Sequence, residues 1–281
     1  MNFNRFRKTR IAPTPSGYCH LGNAYSFLLT QSMAHKTGAK ILLRIDDLDR
    51  ERFREEYLND IFETLEFLEI GIDEGPSGPD DFHSNWSQLN RMTEYREALD
   101  RLKASGKVFG CRCSRSELSG LSRYPGTCKD KALDFDAAET AWRLIGDERP
   151  VMMRTTGGQN TADLPEEMMQ LVVRKKDRNP SYHLASVVDD LMFGVDLVVR
   201  GADLLPSTLG QLSLARQLGA GDFGEIVFVH HPILSGADGL KLSKSAGSDA
   251  VRAFRRKGMR REDLIEQIGE IIGDVDWLAK G

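Results

Sequence analysis

The sequence predicts an α/β fold built on a parallel sheet, and three observations carry that prediction. Two apolar runs of strand length, residues 8–12 and 39–46 (AKILLRID), flank a helical pattern over 21–36. That order is a βαβ unit, with parallel strands and a right-handed crossover. The alternation returns after residue 181, with Tyr182–Asp189, the run Asp196–Arg200 (DLVVR), a helix over Pro206–Leu218 and a strand over Glu225–Val229. Between these two stretches, residues 106–180 lose regular periodicity and hold three of the four cysteines, which reads as an inserted domain.

The remaining elements follow in order. Tyr57, Leu58, Ile61, Leu65 and Leu68 recur at helical spacing within Arg50–Ile70 and predict a helix there. Asp73–Ser87, rich in Gly, Pro, Asp and Ser, predicts a loop, and Leu89–Ala104 predicts a helix. A Gly-flanked loop around Lys241–Ser245 precedes helices near 248–257 and 261–272. The expected organisation is a split catalytic domain (1–105 and 181–240), the insert (106–180) and a C-terminal helical region (241–281).

Composition narrows the class. With 40% hydrophobic and 28% charged residues the chain is globular in type. No apolar run approaches the roughly 20 residues that span a bilayer, so the expectation is a cytoplasmic monomer without a membrane. The net charge of −4 means that any contact with nucleic acid must come from a local patch. Arg252, Arg255, Arg256, Lys257, Arg260 and Arg261 form the densest one, which on charge alone reads first as a solvated helix face.

Two distant segments carry phosphate chemistry. Pro13–Asn23 (PTPSGYCHLGN) lies between an extended stretch and a helix, a junction that aims backbone N–H groups and a helix dipole at an anion. There His20 can donate to a phosphate, beside Pro13, Gly22 and Asn23. Lys241, Ser243, Lys244 and Ser245 bring cations and hydroxyls suited to the β- and γ-phosphates of ATP. Adenylate formation needs such pre-placed donors rather than a covalent nucleophile. Cys19, next to His20, has no partner constellation and reads as loop filler.

These segments resemble the two signatures of class I aminoacyl-tRNA synthetases, and the chain looks most like their glutamyl branch. Arg10–Gly17 (RIAPTPSG), Leu43–Asp49 (LRIDDLD), Tyr182–Asp190 and Val199–Leu204 (VRGADL) match that pattern in order. The resemblance implies a class I synthetase Rossmann-like parallel sheet with an inserted zinc-containing domain and a short C-terminal helical region. It implies catalytic roles for His20 and Lys244 with Mg²⁺-bound ATP. It also implies a glutamate pocket of Arg10, Ala12, Thr14, Asp46, Tyr182 and Arg200, where paired arginines suit carboxylates. The family usually has Glu where this chain has Asp46, a carboxylate one methylene shorter.

Cys111, Cys113 and Cys128 form a three-thiol cluster whose spacing suggests Zn²⁺ over a disulfide, with surface thiols as the alternative. No His lies between His83 and His183 to complete it. The chain also resembles the glutamyl-queuosine tRNA(Asp) synthetases, in which a Cys-x-Cys…Tyr-x-x-x-Cys site holds structural zinc. That resemblance makes Tyr124 the fourth ligand. Only 36 residues follow Ser245, too few for a helical anticodon-binding domain, which points to the same branch.

The implied reaction joins glutamate to ATP and passes it to queuosine in the anticodon stem-loop of tRNA(Asp). Two alternatives share the same residues. One is an adenylate-forming ligase with a non-tRNA acceptor; the other is a non-catalytic RNA-binding paralogue. Intact His20, Lys244, Arg10 and Arg200 argue against the second.

Overall fold

The computed structural model describes residues 5–234 and 250–272. In chain order the elements are β1 (Lys8–Ile11), α1 (Leu21–Thr37), β2 (Lys40–Leu43), α2 (Glu55–Phe67), the single turn α3 (Pro79–Asp81) and α4 (Met92–Ala104). Then come β3 (Val108–Cys111), β4 (Ala141–Leu144), β5 (Val151–Thr155), β6 (Gly158–Ala162), β7 (Val172–Arg174) and α5 (Tyr182–Met192). The last are β8 (Leu197–Gly201), α6 (Leu205–Gln217), β9 (Val227–His231), α7 (Val251–Arg256) and α8 (Arg261–Ile272). None of the described helices is long and apolar enough to cross a membrane.

The chain divides into two compact units. The first comprises residues 1–90, 195–203 and 229–281, and the second comprises 91–194 and 204–228. In the first unit, β2, β1, β8 and the end of β9 lie side by side in that order. β1 pairs in parallel with both β2 and β8, so the predicted βαβ unit is present. α1 starts on a capping box, with His20 and Asn23 satisfying each other's backbone donors, and stops at Gly38 in the left-handed region (φ 77°). Leu28, Leu43, Leu58, Phe82, Val251 and Leu264 meet in one core, so α2, α7 and α8 pack with the strands by burying apolar faces.

Two local expectations change. The predicted helix over Arg50–Ile70 shortens to α2, because Arg50 and Arg52 fold back onto Asp47 and Asp49. Its far end stops where Glu69 turns to positive φ (55°). The loop predicted over Asp73–Ser87 contains α3 and a wide helical turn, Phe82–Trp86. Phe82 is fully buried, and a loop that buries a large ring needs its backbone hydrogen-bonded locally.

The second unit holds the irregular stretch. β3, β4 and β7 form an antiparallel sheet, and β5–β6 is a hairpin whose Arg154 pairs in parallel with Val227 of β9. Tyr182–Asp189 lies in α5, capped at Ser181. α4 and α5 are joined by a buried charge cluster. Asp189, fully buried, accepts from Arg91 Nε at 3.0 Å, from Arg91 Nη2 at 3.3 Å and from the Tyr95 hydroxyl at 2.7 Å. Burial, with Asp189 beside it, pushes the Tyr95 phenol far up, so it stays a donor.

This cluster generates a stability prediction. Arg91→Ala strands the Asp189 carboxylate and should cost about 3–5 kcal/mol. Tyr95→Phe removes a single bond to Asp189 and should cost about 1–3 kcal/mol. Urea denaturation followed by circular dichroism measures both, and equal losses would contradict this ranking.

Candidate active site and metal centre

The sheet of the first unit gathers one set of sequence-predicted residues on one face. Arg10 lies opposite Leu42 in β1–β2, and Thr9 lies opposite Leu197 in β1–β8. The pairing runs on past the strand ends, since Arg44 N–H donates to Ile11 O and Asp46 N–H to Pro13 O, each at 2.9 Å. Side chains alternate along extended chains. Arg10, Ala12, Thr14, Arg44, Asp46 and Arg200 therefore share one face. Arg10 (6% exposed) and Arg200 (4%) are buried arginines, which sequence alone could not distinguish from surface charges. Arg10 donates to Val199 O through Nη1 at 3.4 Å.

Asp46 is itself held. Arg44 grips both of its oxygens, Nε to Oδ1 at 2.7 Å and Nη2 to Oδ2 at 3.1 Å, in a buried pair. The forked guanidinium thereby fixes the direction of the carboxylate. Asp47 points away to a different task. It accepts from Ser87 Oγ at 2.6 Å, Gln88 N at 2.8 Å and Arg50 Nη1 at 2.9 Å, tying the loop after β2 in place. Tyr182, 41% exposed, opens α5 in the second unit.

The phosphate-type loop has a defined geometry. His20 is the N-cap of α1: its N–H donates to Asn23 Oδ1 at 3.0 Å, and its Nδ1 accepts from Asn23 N–H at 3.3 Å. An accepting Nδ1 leaves the neutral ring's proton on Nε2, which makes that nitrogen a donor. Gly22 is required by that ring, because a Cβ there would stand 2.9 Å from His20 Cε1. Pro13 and Cys19 are buried, and burial pushes the Cys19 thiol far up, which suits filler rather than a nucleophile.

Lys241, Ser243, Lys244 and Ser245 lie outside the described residues. Their return point is described. Ala250 bridges antiparallel to His20, and Val251 N–H donates to Cys19 O at 2.8 Å. The chain re-enters the fold against the loop that begins α1.

Sequence reading missed His230 and His231. Burial, then Arg200 and His231, push His230 down to about 4, so it is neutral at neutral pH. His231 meets the Tyr25 ring edge-on, with centroids 4.7 Å apart. The adjacent histidines before Pro232 are the only sequence signal for them. The basic stretch also differs from a free patch. Arg255 is engaged by Asp60 and Glu63, Arg252 lies 3.8 Å over the Tyr18 ring, and Arg261 Nε donates to Leu68 O at 2.9 Å. Arg256, Lys257 and Arg260 are exposed.

In the second unit the three thiols converge. The sulfurs of Cys111, Cys113 and Cys128 lie within 4.8 Å of one another, with Cys113 and Cys128 3.6 Å apart. The Tyr124 oxygen stands 3.3 Å from Cys111 Sγ and 3.6 Å from Cys113 Sγ, and it accepts from Cys128 N–H at 2.9 Å. Tetrahedral zinc, with Zn–S near 2.3 Å and Zn–O near 2.1 Å, sets ligand separations of about 3.8 Å (S···S) and about 3.6 Å (S···O). The Cys113–Cys128 and Tyr124 separations match that geometry, and three thiols gathered within 4.8 Å can hold a metal ion. Burial raises the Cys128 thiol, but the Arg112 backbone N–H and Tyr124 hydroxyl outweigh it and bring it down to about 7.

The His20–Gly22 contact is directly testable. In Gly22→Ala the ring must swing off Nδ1···H–N Asn23. Loss of that cap, about 0.5–2 kcal/mol, roughly cancels the helix gain of alanine, about 1 kcal/mol. Thermal stability should change little, while the His20 nitrogen resonances lose the Nε2–H tautomer pattern. An unchanged His20 spectrum would remove the contact from the account.

Comparison with known proteins places this arrangement. The profile of class I tRNA synthetases (E and Q), catalytic domain, matches residues 7–271. A relative named Glutamyl-Q tRNA(Asp) synthetase, from Symbiobacterium thermophilum, is 35% identical over 95% of this chain and 87% of its own length. Another of that name, from Nitratidesulfovibrio vulgaris, is 33% identical over 95% of this chain and 86% of its own. A crystal structure of glutamate-tRNA synthetase from Elizabethkingia anophelis has the same fold, with a TM-score of 0.67 and 22% identity over 91% of this chain. This chain spans about half of that one, 54%. The chain belongs to the class I tRNA synthetases of the E and Q branch, by their catalytic domain.

Proposed function

We propose that this chain activates glutamate with ATP and transfers it to queuosine at the wobble position of tRNA(Asp). As a member of its family it is an ATP-dependent ligase. The observation that carries the adenylation step is the ladder between Cys19–His20 and Ala250–Val251. Lys244 stands six residues before Ala250. The stretch of sequence that carries Lys244 thus leads directly into the residues that pair with Cys19–His20.

Each residue then has a task. The α-carboxylate of glutamate attacks the α-phosphorus of ATP, and pyrophosphate leaves. His20 Nε2–H and the first turn of α1 oppose the charge growing on the α-phosphate, with Pro13, Gly22 and Asn23 shaping the loop. Lys244, with Lys241, Ser243 and Ser245, balances the departing pyrophosphate. Mg²⁺, bound with ATP, supplies further charge neutralisation. Arg10 and Arg200 answer the glutamate carboxylates, Asp46 the ammonium, and Ala12 and Thr14 line the same face. A hydroxyl of the queuosine cyclopentenediol then attacks the acyl carbon. The ester forms, the mixed anhydride C–O bond breaks, and AMP leaves.

The acceptor assignment rests on the two relatives that carry the glutamyl-Q name and on the Cys111, Cys113, Tyr124, Cys128 set. That set suits structural zinc, which would brace the second unit. Exposed Arg256, Lys257 and Arg260 are the cations available to anticodon-stem phosphates, since Arg255 is committed within the fold.

The function is tested in two stages. Glutamate-dependent ATP–pyrophosphate exchange should proceed without tRNA, and Lys244→Ala should slow it by about 10²–10³-fold. Labelled glutamate should then appear on tRNA(Asp) that contains queuosine. Label on tRNA that lacks queuosine but keeps an intact 3′ end would overturn the acceptor.

The metal has its own readout. Elemental analysis should find one zinc per chain, and Cys111→Ser with Cys113→Ser should lower the melting temperature. Cobalt substitution should give an intense tetrahedral spectrum that Tyr124→Phe shifts. No stoichiometric metal in chelator-free preparations would exclude the site.

A further inference from the structure

The three-thiol cluster rests on one face of the β3–β4 ladder, and that face carries a cation. Phe109 lies opposite Arg143 and Cys111 opposite Ala141, so Phe109, Cys111 and Arg143 share a side of the sheet. The Tyr124 ring packs on the first two. The Arg143 guanidinium stands 4.2 Å from its centroid, and the Phe109 ring centroid lies 5.9 Å away. Arg143 is partly buried, and its Nη1 donates to Gln170 O at 2.9 Å.

The other face of β4 repeats this stack with one difference. There Arg174, paired across the ladder with Trp142, covers the Trp142 ring, also at 4.2 Å. Its Nη1 lies 3.5 Å from a carboxylate oxygen of Asp136. Arg143 has no carboxylate partner among the described residues. A guanidinium withdrawn from water needs an anion to offset its desolvation. Across the Tyr124 ring lie the sulfurs, with the Tyr124 oxygen 3.3 Å from Cys111 Sγ and 3.6 Å from Cys113 Sγ. Metal-bound cysteines are thiolates. Three of them exceed the charge of a zinc dication by one, and a bound phenolate raises the excess to two. A loaded centre is therefore an anion, standing where Asp136 stands for Arg174.

We propose that Arg143 is the counter-ion of the loaded metal centre, a positioning residue that holds the Tyr124 ring and offsets the charge of Cys111, Cys113 and Cys128. This rests on the metal reading above. Both parts of the tyrosine are then used: its oxygen faces the sulfurs, and its ring face receives the cation.

The test compares Arg143→Lys with Arg143→Gln in the full chain. Both variants lose the fork and keep a donor for Gln170 O; only the first keeps the charge. Zinc affinity is read by competition with a chromophoric chelator. Arg143→Gln should weaken it by about 10–100-fold, the scale of losing an outer partner of a metal ligand, and Arg143→Lys should recover most of that loss. Equal affinities in the two variants would overturn the proposal.

Melting temperatures with and without zinc separate this role from sheet packing. Without metal the two variants should melt together, and with zinc Arg143→Gln should melt below Arg143→Lys. A gap of the same size in both states would make Arg143 a packing residue only and would overturn the counter-ion role. Cobalt spectra read the tyrosine: Arg143→Gln should shift the bands in the direction of Tyr124→Phe, and Arg143→Lys should not. Unmoved bands in Arg143→Gln would refute the positioning. An unsubstituted chain that binds no zinc would instead refute the metal reading itself. Should Arg143→Gln fail to fold, Arg143→Met against Arg143→Lys carries the affinity comparison.

Discussion

The site depends on a short backbone ladder, in which Cys19–His20 meets Ala250–Val251. Residues some 230 positions apart in the sequence are joined there by peptide groups, which cannot be tuned away by side-chain substitution. Closing so long a loop costs entropy that a few hydrogen bonds cannot repay alone. The apolar faces of α7 and α8 supply the rest, since Val251, Phe254, Leu264 and Ile268 bury into the same core as Leu21 and Leu28 of α1. The placement of the His20 loop against α7 is therefore a by-product of core packing.

A second regularity runs through both units. Asp46, Asp47, Asp60 and Asp189 are all nearly or fully buried, and each is answered by an arginine: Arg44, Arg50, Arg255 and Arg91 respectively. Such pairs add little net stability, because desolvation offsets the attraction. Their value is directional, since a forked guanidinium fixes a carboxylate in one plane. The Asp46 and Asp47 pairs fix the backbone after β2, while the other two tie helices together, Asp60 of α2 to Arg255 of α7 and Asp189 of α5 to Arg91 at the start of α4.

This explains what was legible in the sequence. His20, Gly22, Arg10, Asp46, Arg200 and the cysteines stand in short ordered blocks whose spacing reflects local backbone geometry, and the sheet register gathers those of the first unit. The contribution of Arg255 was not legible, because a cation in a basic run looks solvated until a buried acid from 195 residues earlier is placed beside it. His230 and Asp189 were hidden for the same reason. Phe82 misled in the opposite sense, as turn-forming neighbours masked a ring that the core required. Periodicity reports the local half of a contact, and these contacts are non-local.

The departure at Asp46 takes its meaning from Arg44. The two residues stand two apart on an extended segment, hence on one face, and the pair closes with both oxygens engaged. An aspartate keeps its carboxylate close to the backbone, where Arg44 can reach it while Asp46 N–H holds Pro13 O. A glutamate would carry the charge one methylene further over the face shared by Arg10 and Arg200. On the reading proposed above, Arg10 and Arg200 on this face would answer carboxylates and the oriented Asp46 an ammonium, the complement of an acidic amino acid.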